Sequence, residues 1–294
     1  MTGRRGGGEG ASTRVVLLDL VRPATLGPVL VIALVVGIMG AGGWPGDGGF
    51  LRLLLAGALM VVANGGSNVV NQLGDMVEDS VHPTKQDRPV VAGLLSPLNL
   101  LSATLAMWGL ALLVAILLLP AAFAALYLLV LGFAFSYSYP PRLKQSFPLG
   151  YLAIATPRGG LGIAAMWSVF GSLSDPRLLP MLAVTVPLVL LGNVSKDITD
   201  ADADRYAGVQ TVATLWGENA CRAVVAAGFV LPSLTVYLGR LYASDVWLVL
   251  VAPLSVLGVV SAALLDGRRL WLVFYLVYSL VVLLFGLPTL LGAA

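Results

Sequence analysis

Apolar residues come in long blocks along this chain, not in alternation or narrow stripes. Stretches free of Asp, Glu, Lys and Arg run over 23–46, 53–74, 89–141, 178–195, 223–239, 246–265 and 270–294. A helix crossing a bilayer needs about 20 apolar residues. The 89–141 block has room for two, broken at Leu119–Pro120, and a further segment over 149–170 carries a single charge, Arg158. The pattern predicts nine spans, near 24–41, 52–72, 97–118, 121–137, 149–170, 178–194, 222–239, 246–264 and 270–290. Helices are required because a segment in lipid has to satisfy its own backbone polar groups. The expected fold is all-α: one polytopic bundle over 15–294 with a central cavity, preceded by a Gly/Arg-rich tail, 1–14, expected to be disordered.

Composition agrees with the pattern. Of 294 residues, 58% are apolar and 11% charged, against roughly 25% charged in soluble domains. This excludes a water-soluble enzyme and a disordered chain. A net charge of +2 gives no basic surface for nucleic acid, and no obligatory protein partner is predicted. The single cysteine, Cys221, fits neither a disulfide nor a metal-ligand spacing. The lone His82 reads as a solvated loop residue, and Trp44, Trp167, Trp247 and Trp271 read as interfacial anchors.

With nine spans, the basic residues sort by side. Arg4, Arg5, Arg14, Arg22, Lys85, Arg88, Arg142, Lys144, Lys196, Arg205, Arg222, Arg268 and Arg269 fall on the side of the N-terminus. Arg52, Arg177 and Arg240 fall on the other. By the positive-inside tendency the N-terminus is expected in the cytoplasm.

The acids gather in two windows. Asp75, Glu78, Asp79 and Asp87 form one, and Asp197, Asp200, Asp202 and Asp204 the other, both at the cytoplasmic ends of spans. Asn64, Asn68, Asn71, Asp75 and Asp79 follow helical steps, as do Asn193, Asp197, Asp200 and Asp204. The matching steps hint at an internal repeat with an offset of 129 residues. Two polar stripes therefore run from within the bilayer to its surface. Carboxylates so concentrated need a cation. They suit Mg²⁺, which binds through one or two carboxylates and keeps positions for water and phosphate. Lys85, Arg88, Lys144, Lys196 and Arg205 lie in the same loops. Acids for metal, bases for phosphate oxygens and an apolar interior below describe a lipid diphosphate site.

The run Asn71-Gln-Leu-Gly-Asp75-Met-Val-Glu-Asp79, with Lys85-Gln-Asp-Arg88-Pro89, resembles the first aspartate-rich motif of the UbiA superfamily of intramembrane prenyltransferases. Lys196-Asp197-Ile-Thr-Asp200-Ala-Asp-Ala-Asp204 is similar to the second, followed by Gly208-Val-Gln-Thr211 and Leu215-Trp-Gly217. Arg22-Pro23-Ala-Thr25 resembles the family's entry to span 1, and Tyr137-Ser-Tyr139-Pro-Pro-Arg142-Leu-Lys144 its loop between spans 4 and 5. One departure is Gln72, where many members carry aspartate. The resemblance implies transfer of a prenyl group from an isoprenoid diphosphate. Asn71, Asp75 and Asp79 would hold one Mg²⁺, and Asp200 and Asp204 a second. Asp197 would orient metal ligands or deprotonate the acceptor. Arg22, Asn68, Lys85, Arg88, Lys144, Arg158 and Lys196 would bind substrate, and Tyr139 would stabilise an allylic cation.

The acceptor read from Tyr139, Arg142, Lys144 and Arg158 is a small hydroxylated aromatic such as a hydroxybenzoate, with a geranylgeranyl or longer donor. A glycerol-phosphate lipid or another alcohol is the alternative. Two rivals of other classes are a transporter and a CDP-alcohol phosphatidyltransferase. A transporter needs a charged route to the opposite face, and the acids cluster at one. The Asp-Gly and Ala-Arg pairs of the phosphatidyltransferase pattern are missing from both acidic windows. Gly65-Gly66 is expected to permit close helix packing, Pro140-Pro141 to form a turn, and Arg158 to serve either a buried salt bridge or substrate binding.

Overall fold

The structure, a computed structural model, describes residues 18–292 apart from 19, 83 and 240–244. The tail over 1–14 with Arg4, Arg5 and Arg14, the residue Arg240 and the side chain of Trp247 lie outside the described residues.

The long apolar blocks fold as helices: α1 (Pro23–Ala41), α2 (Asp47–Gly74), α4 (Pro97–Leu118), α5 (Ala121–Ser138), α8 (Leu178–Gly192), α11 (Glu218–Gly239), α12 (Asp245–Leu264) and α13 (Gly267–Leu290). Between them lie the short α3 (Met76–Val81), α9 (Asp197–Tyr206) and α10 (Val212–Trp216). Among the described residues, five helices are long and apolar enough to cross a membrane: Asp47–Gly74, Pro97–Leu118, Ala121–Ser138, Leu178–Tyr206 and Gly267–Leu290.

The predicted 149–170 segment departs from a plain helix. It comprises α6 (Leu149–Ala155), a π-helical turn (Thr156–Leu161) and α7 (Gly162–Trp167). Pro157 stands in this turn and has no backbone N–H to give. The wider turn absorbs that loss and turns Arg158 toward the bundle interior.

The helices close into a ring. α1 packs on α2 and α13, α2 on α4 and α5, α8 on α11 and the π turn, and α12 joins α11 to α13. Trp167, Tyr127, Phe123, Phe229, Phe274 and Phe285 are fully enclosed in this packing, and the Tyr127 hydroxyl donates to the Leu59 carbonyl at 2.9 Å. Gly66 does what small residues do at helix crossings: a Cβ there would collide with the indole of Trp108. Trp44 is exposed, but Trp167 is 0% exposed and Trp271 lines the interior cavity, so neither is an interfacial anchor. The Trp167 ring fills space between helices.

Candidate active site

The polar stripe on α2 explains how the site is carried. A 28-residue helix is ~42 Å long, against ~30 Å of hydrocarbon. Its last turns therefore reach the surface of the apolar layer, and the asparagines lead up to them. Asn64 and Asn68 donate to Thr25 Oγ1 at 3.1 and 2.9 Å, and Asn68 also to the Val21 carbonyl at 2.9 Å. Thr25 in turn donates to the Arg22 carbonyl at 2.9 Å. The stripe thus braces the turn that enters α1, where Arg22 has φ 51°. Arg22 and Arg142 are the non-glycine residues with positive φ among the described residues, and both belong to the site. Gln72 is buried and donates to the Leu20 carbonyl at 3.3 Å. It lines neither cavity described below.

Neither stripe is one continuous α-helix. α2 ends at Gly74, and Asp75 forms the joint to α3, its N–H still donating to the Asn71 carbonyl at 2.9 Å. The second stripe passes through a tight 3₁₀ turn, Asn193–Lys196, before α9. The joint at Asp75 changes the phase, so Glu78 and Asp79 both turn inward and both are buried. Step counting along a single helix misses Glu78 for this reason.

The two motifs meet. Asp75, Glu78 and Asp79 face Asp197, Asp200 and Asp204 across one chamber, closed by Lys85, Lys144 and Lys196, with Gln210 and Thr211 at its rim. Most of the acids are held by bases. Lys144 binds Asp75 in a short ion pair and Glu78 at 2.7 Å, and Arg142 reaches Glu78 at 3.2 Å and the Gly74 carbonyl at 2.8 Å. Arg88 pairs with Asp79. Asp200 receives Lys85 at 2.6 Å and Lys196 at 3.5 Å. Tyr151 donates a short hydrogen bond to Asp197 and accepts one from the Val212 N–H at 2.7 Å. The carboxylate of Asp204 makes no hydrogen bond or ion pair among the described residues. Burial raises the Asp79 carboxyl above its ordinary pKa despite Arg88. Burial, with neighbouring Lys196, lowers that of Lys85, and Asp200 opposes the fall.

His82 is not solvated. It is 6% exposed, with Nε2 at 3.2 Å from the Thr199 carbonyl and 3.4 Å from Asp200, because its loop folds back onto α9. Tyr139 also departs from expectation. It stacks on Phe135, with ring centroids 5.0 Å apart, and packs against Leu20, Val69, Leu73 and Val90, away from both cavities. Two residues earlier on α5, Tyr137 lines both. No local sequence signal separates these two tyrosines. Tyr151 was missed as well, since its partner Asp197 lies 46 positions away.

Below the chamber opens a larger cavity of about 1300 Å³, counting its mouth. It is lined mainly by apolar residues of α1, α2, α5, α7 and α13. Tyr137, Ile154, Asn193 and Lys196 line both spaces and form their junction. Arg22, Asn68, Asn71 and Arg158 line the large cavity. Arg158 has no acidic side chain within 4.0 Å among the described residues, which removes the buried salt bridge as its role.

The donor set fits Mg²⁺. It consists of hard carboxylate oxygens from two helix ends around one chamber, with Asp204 uncommitted. Among the described residues, no three His, Cys, Asp or Glu side chains gather tightly enough to hold an ion by themselves. The lysines occupy those positions, and Mg²⁺ commonly takes only one or two carboxylates and completes its shell with phosphate and water.

The two motifs thus bring their acids and lysines to one mouth of an apolar cavity. The chain belongs to the UbiA prenyltransferase family, whose model matches residues 29–270. Its apolar helices and its family mark it as an integral membrane protein. It is 28% identical over 172 residues to a digeranylgeranylglyceryl phosphate synthase of Natronomonas pharaonis, a match covering 58% of each chain, so little more than half of that relative is spanned. A solved UbiA homologue from Archaeoglobus fulgidus bound to GPP and Mg²⁺ superposes with a TM-score of 0.72 at 20% identity, over 93% of this chain and 99% of that one. A digeranylgeranylglyceryl phosphate synthase structure gives 0.66 at 17%, over 95% and 99%. Both structural likenesses speak to the fold.

Proposed function

We propose that the enzyme transfers a polyprenyl group, geranylgeranyl-sized or longer, from its diphosphate to the hydroxyl of a glycerol-phosphate lipid. The observation carrying this is the chamber itself: acids and lysines of both motifs at the mouth of a large apolar cavity. The relative named above is by its name a synthase of such a lipid. The aromatic acceptor expected from the sequence loses two of the four residues it was read from, because Tyr139 is packed elsewhere and Arg142 is engaged by Glu78 and Gly74.

Asp75, Asp79, Asp200 and Asp204, with help from Asn71, would hold two Mg²⁺ ions, which would supply positive charge to the leaving diphosphate. The chain's own residues do the rest. Lys85, Lys144 and Lys196 exchange carboxylate partners for phosphate oxygens, and Arg22 faces the same mouth from α1. Arg88 stays on Asp79 and fixes its orientation. The prenyl C–O bond breaks with its electron pair leaving on diphosphate. The face of Tyr137, at the junction, stabilises the positive allylic carbon. An acceptor oxygen forms the new C–O bond, and its proton passes to Asp197, oriented by Tyr151. The apolar walls keep water from the cation.

The test uses the full-length protein with Mg²⁺ and labelled geranylgeranyl diphosphate. Geranylgeranylglyceryl phosphate is expected to yield a prenylated lipid and free diphosphate, and hydroxybenzoate is not. Product with hydroxybenzoate alone would restore the aromatic acceptor. No diphosphate release with either would remove the reading of the donor.

The same proposal puts nine helices across the membrane with the chamber in the cytoplasm. In a Cys221→Ser background, thiols at Gln86 and Asp202 should label from one side and a thiol at Gly46 from the other. Gln86, Asp202 and Gly46 are all exposed. Opposite labelling of Gln86 and Asp202 would contradict the nine-span arrangement.

A further inference from the structure

The large cavity contains one charged group that the diphosphate chemistry does not use. Arg158 stands in the π turn beside Pro157. Its Nη1 donates to the Tyr275 hydroxyl at 2.9 Å, and its carbonyl accepts from the Tyr278 hydroxyl at 2.9 Å. Two tyrosines of α13 thus hold the turn and its side chain in place. A guanidinium without a carboxylate in an apolar cavity is costly, by several kcal/mol in general. It is kept where an anion comes to it.

The lysines Lys85 and Lys144, assigned to the diphosphate, stand in the acidic chamber instead. Arg158 lines the large cavity and is absent from the wall of the acidic chamber. Ile154, four residues earlier, is one of the junction residues, so the Arg158 backbone lies roughly one helical turn, about 5.4 Å, further in. The Tyr275 hydroxyl accepts from Arg158, which leaves its own proton free to point at the same anion.

We propose that Arg158 and the Tyr275 hydroxyl form a separate subsite that binds the anionic group of the acceptor. This rests on the prenyl-transfer reading above and adds the acceptor's chemical class: a nucleophile with a phosphate or carboxylate a few bonds away. The phosphate of a glycerol-phosphate lipid and the carboxylate of a hydroxybenzoate share that chemistry. The subsite accounts for selection of charged acceptors over neutral ones, and the arms of the test distinguish the two sources.

Equilibrium binding to the purified full-length protein decides it. Geranylgeranylglyceryl phosphate is compared with geranylgeranylglycerol, and 4-hydroxybenzoate with 4-hydroxybenzamide. The wild type is expected to favour the anionic member of one pair by roughly tenfold or more. Arg158→Gln should abolish that preference, Arg158→Lys should keep part of it, and Tyr275→Phe should reduce it a few-fold. Binding of geranylgeranyl diphosphate with Mg²⁺ should be unchanged in all three, which also reports a folded protein. Preference in the lipid pair points to the phosphate, and in the other pair to the carboxylate. A wild type without preference, a preference surviving in Arg158→Gln, or parallel loss of donor binding would overturn the subsite. If the donor fails to bind the wild type while the acceptor preference stands, the transfer reading falls and the subsite survives.

Discussion

Asp75 and Asp204 occupy matching positions in the two stripes, 129 residues apart, yet they live differently. Asp75 is clamped by Lys144 and by Asn71. Asp204 lines the same chamber with no ion pair or hydrogen bond among the described residues. The difference comes from what each motif is packed against. The loop after α5 delivers Arg142 and Lys144 onto the first motif. The second motif meets α6 instead, and α6 presents the hydroxyl of Tyr151 to Asp197. The first half holds its acids against bases, and the second, where Asp200 is held by Lys85 and Lys196, still keeps Asp204 ready. A repeated sequence pattern thus yields two unlike halves: an ion drawing on both has to displace lysines from Asp75 and Asp200, and finds Asp204 already open.

The largest effect should break that contrast. If both halves serve one diphosphate, Asp75→Asn and Asp204→Asn each remove a ligand the other half cannot replace. Each should lower turnover by roughly 10³-fold, and the double variant should fall no further. Diphosphate release in the presence of saturating Mg²⁺ measures this. Additive losses would mean that the halves act on separate groups.

Much of this arrangement was legible in the sequence. The charge-free blocks located the long helices because lipid leaves the backbone no other option. The 3-and-4 steps located Asn71, Asp75, Asp197, Asp200 and Asp204 because neighbouring turns put them on one face. Local periodicity failed where the backbone left the α-helix. At Asp75 the joint brought Glu78 inward beside Asp79, and at Pro157 the π turn fixed Arg158. It also failed where the partner was distant: Tyr151 finds Asp197, and His82 finds Asp200, only through tertiary packing. Tyr137 and Tyr139 have the same composition and neighbourhood, and the end of α5 alone decides which one faces the cavity.

A smaller effect sharpens the comparison, because it separates stability from turnover. In Mg²⁺-free detergent solution, Asp75→Asn leaves Lys144 with Glu78 alone, in surroundings where the lysine side chain is 7% exposed. Breaking a buried pair outright costs about 3–5 kcal/mol. With Glu78 retained, the loss should be nearer ~2 kcal/mol. Asp204→Asn breaks no ion pair and removes a negative charge from a crowd of them, so its stability should stay within about 0.5 kcal/mol of the parent or rise. Thermal unfolding without Mg²⁺ checks this, and adding Mg²⁺ should raise the midpoint of the parent more than that of either variant. Equal destabilisation of the two variants would mean that Asp204 is held as firmly as Asp75, and the asymmetry between the halves would disappear. An unchanged Mg²⁺ response in Asp204→Asn would instead remove that carboxylate from the ion's ligands while leaving the Lys144 clamp intact.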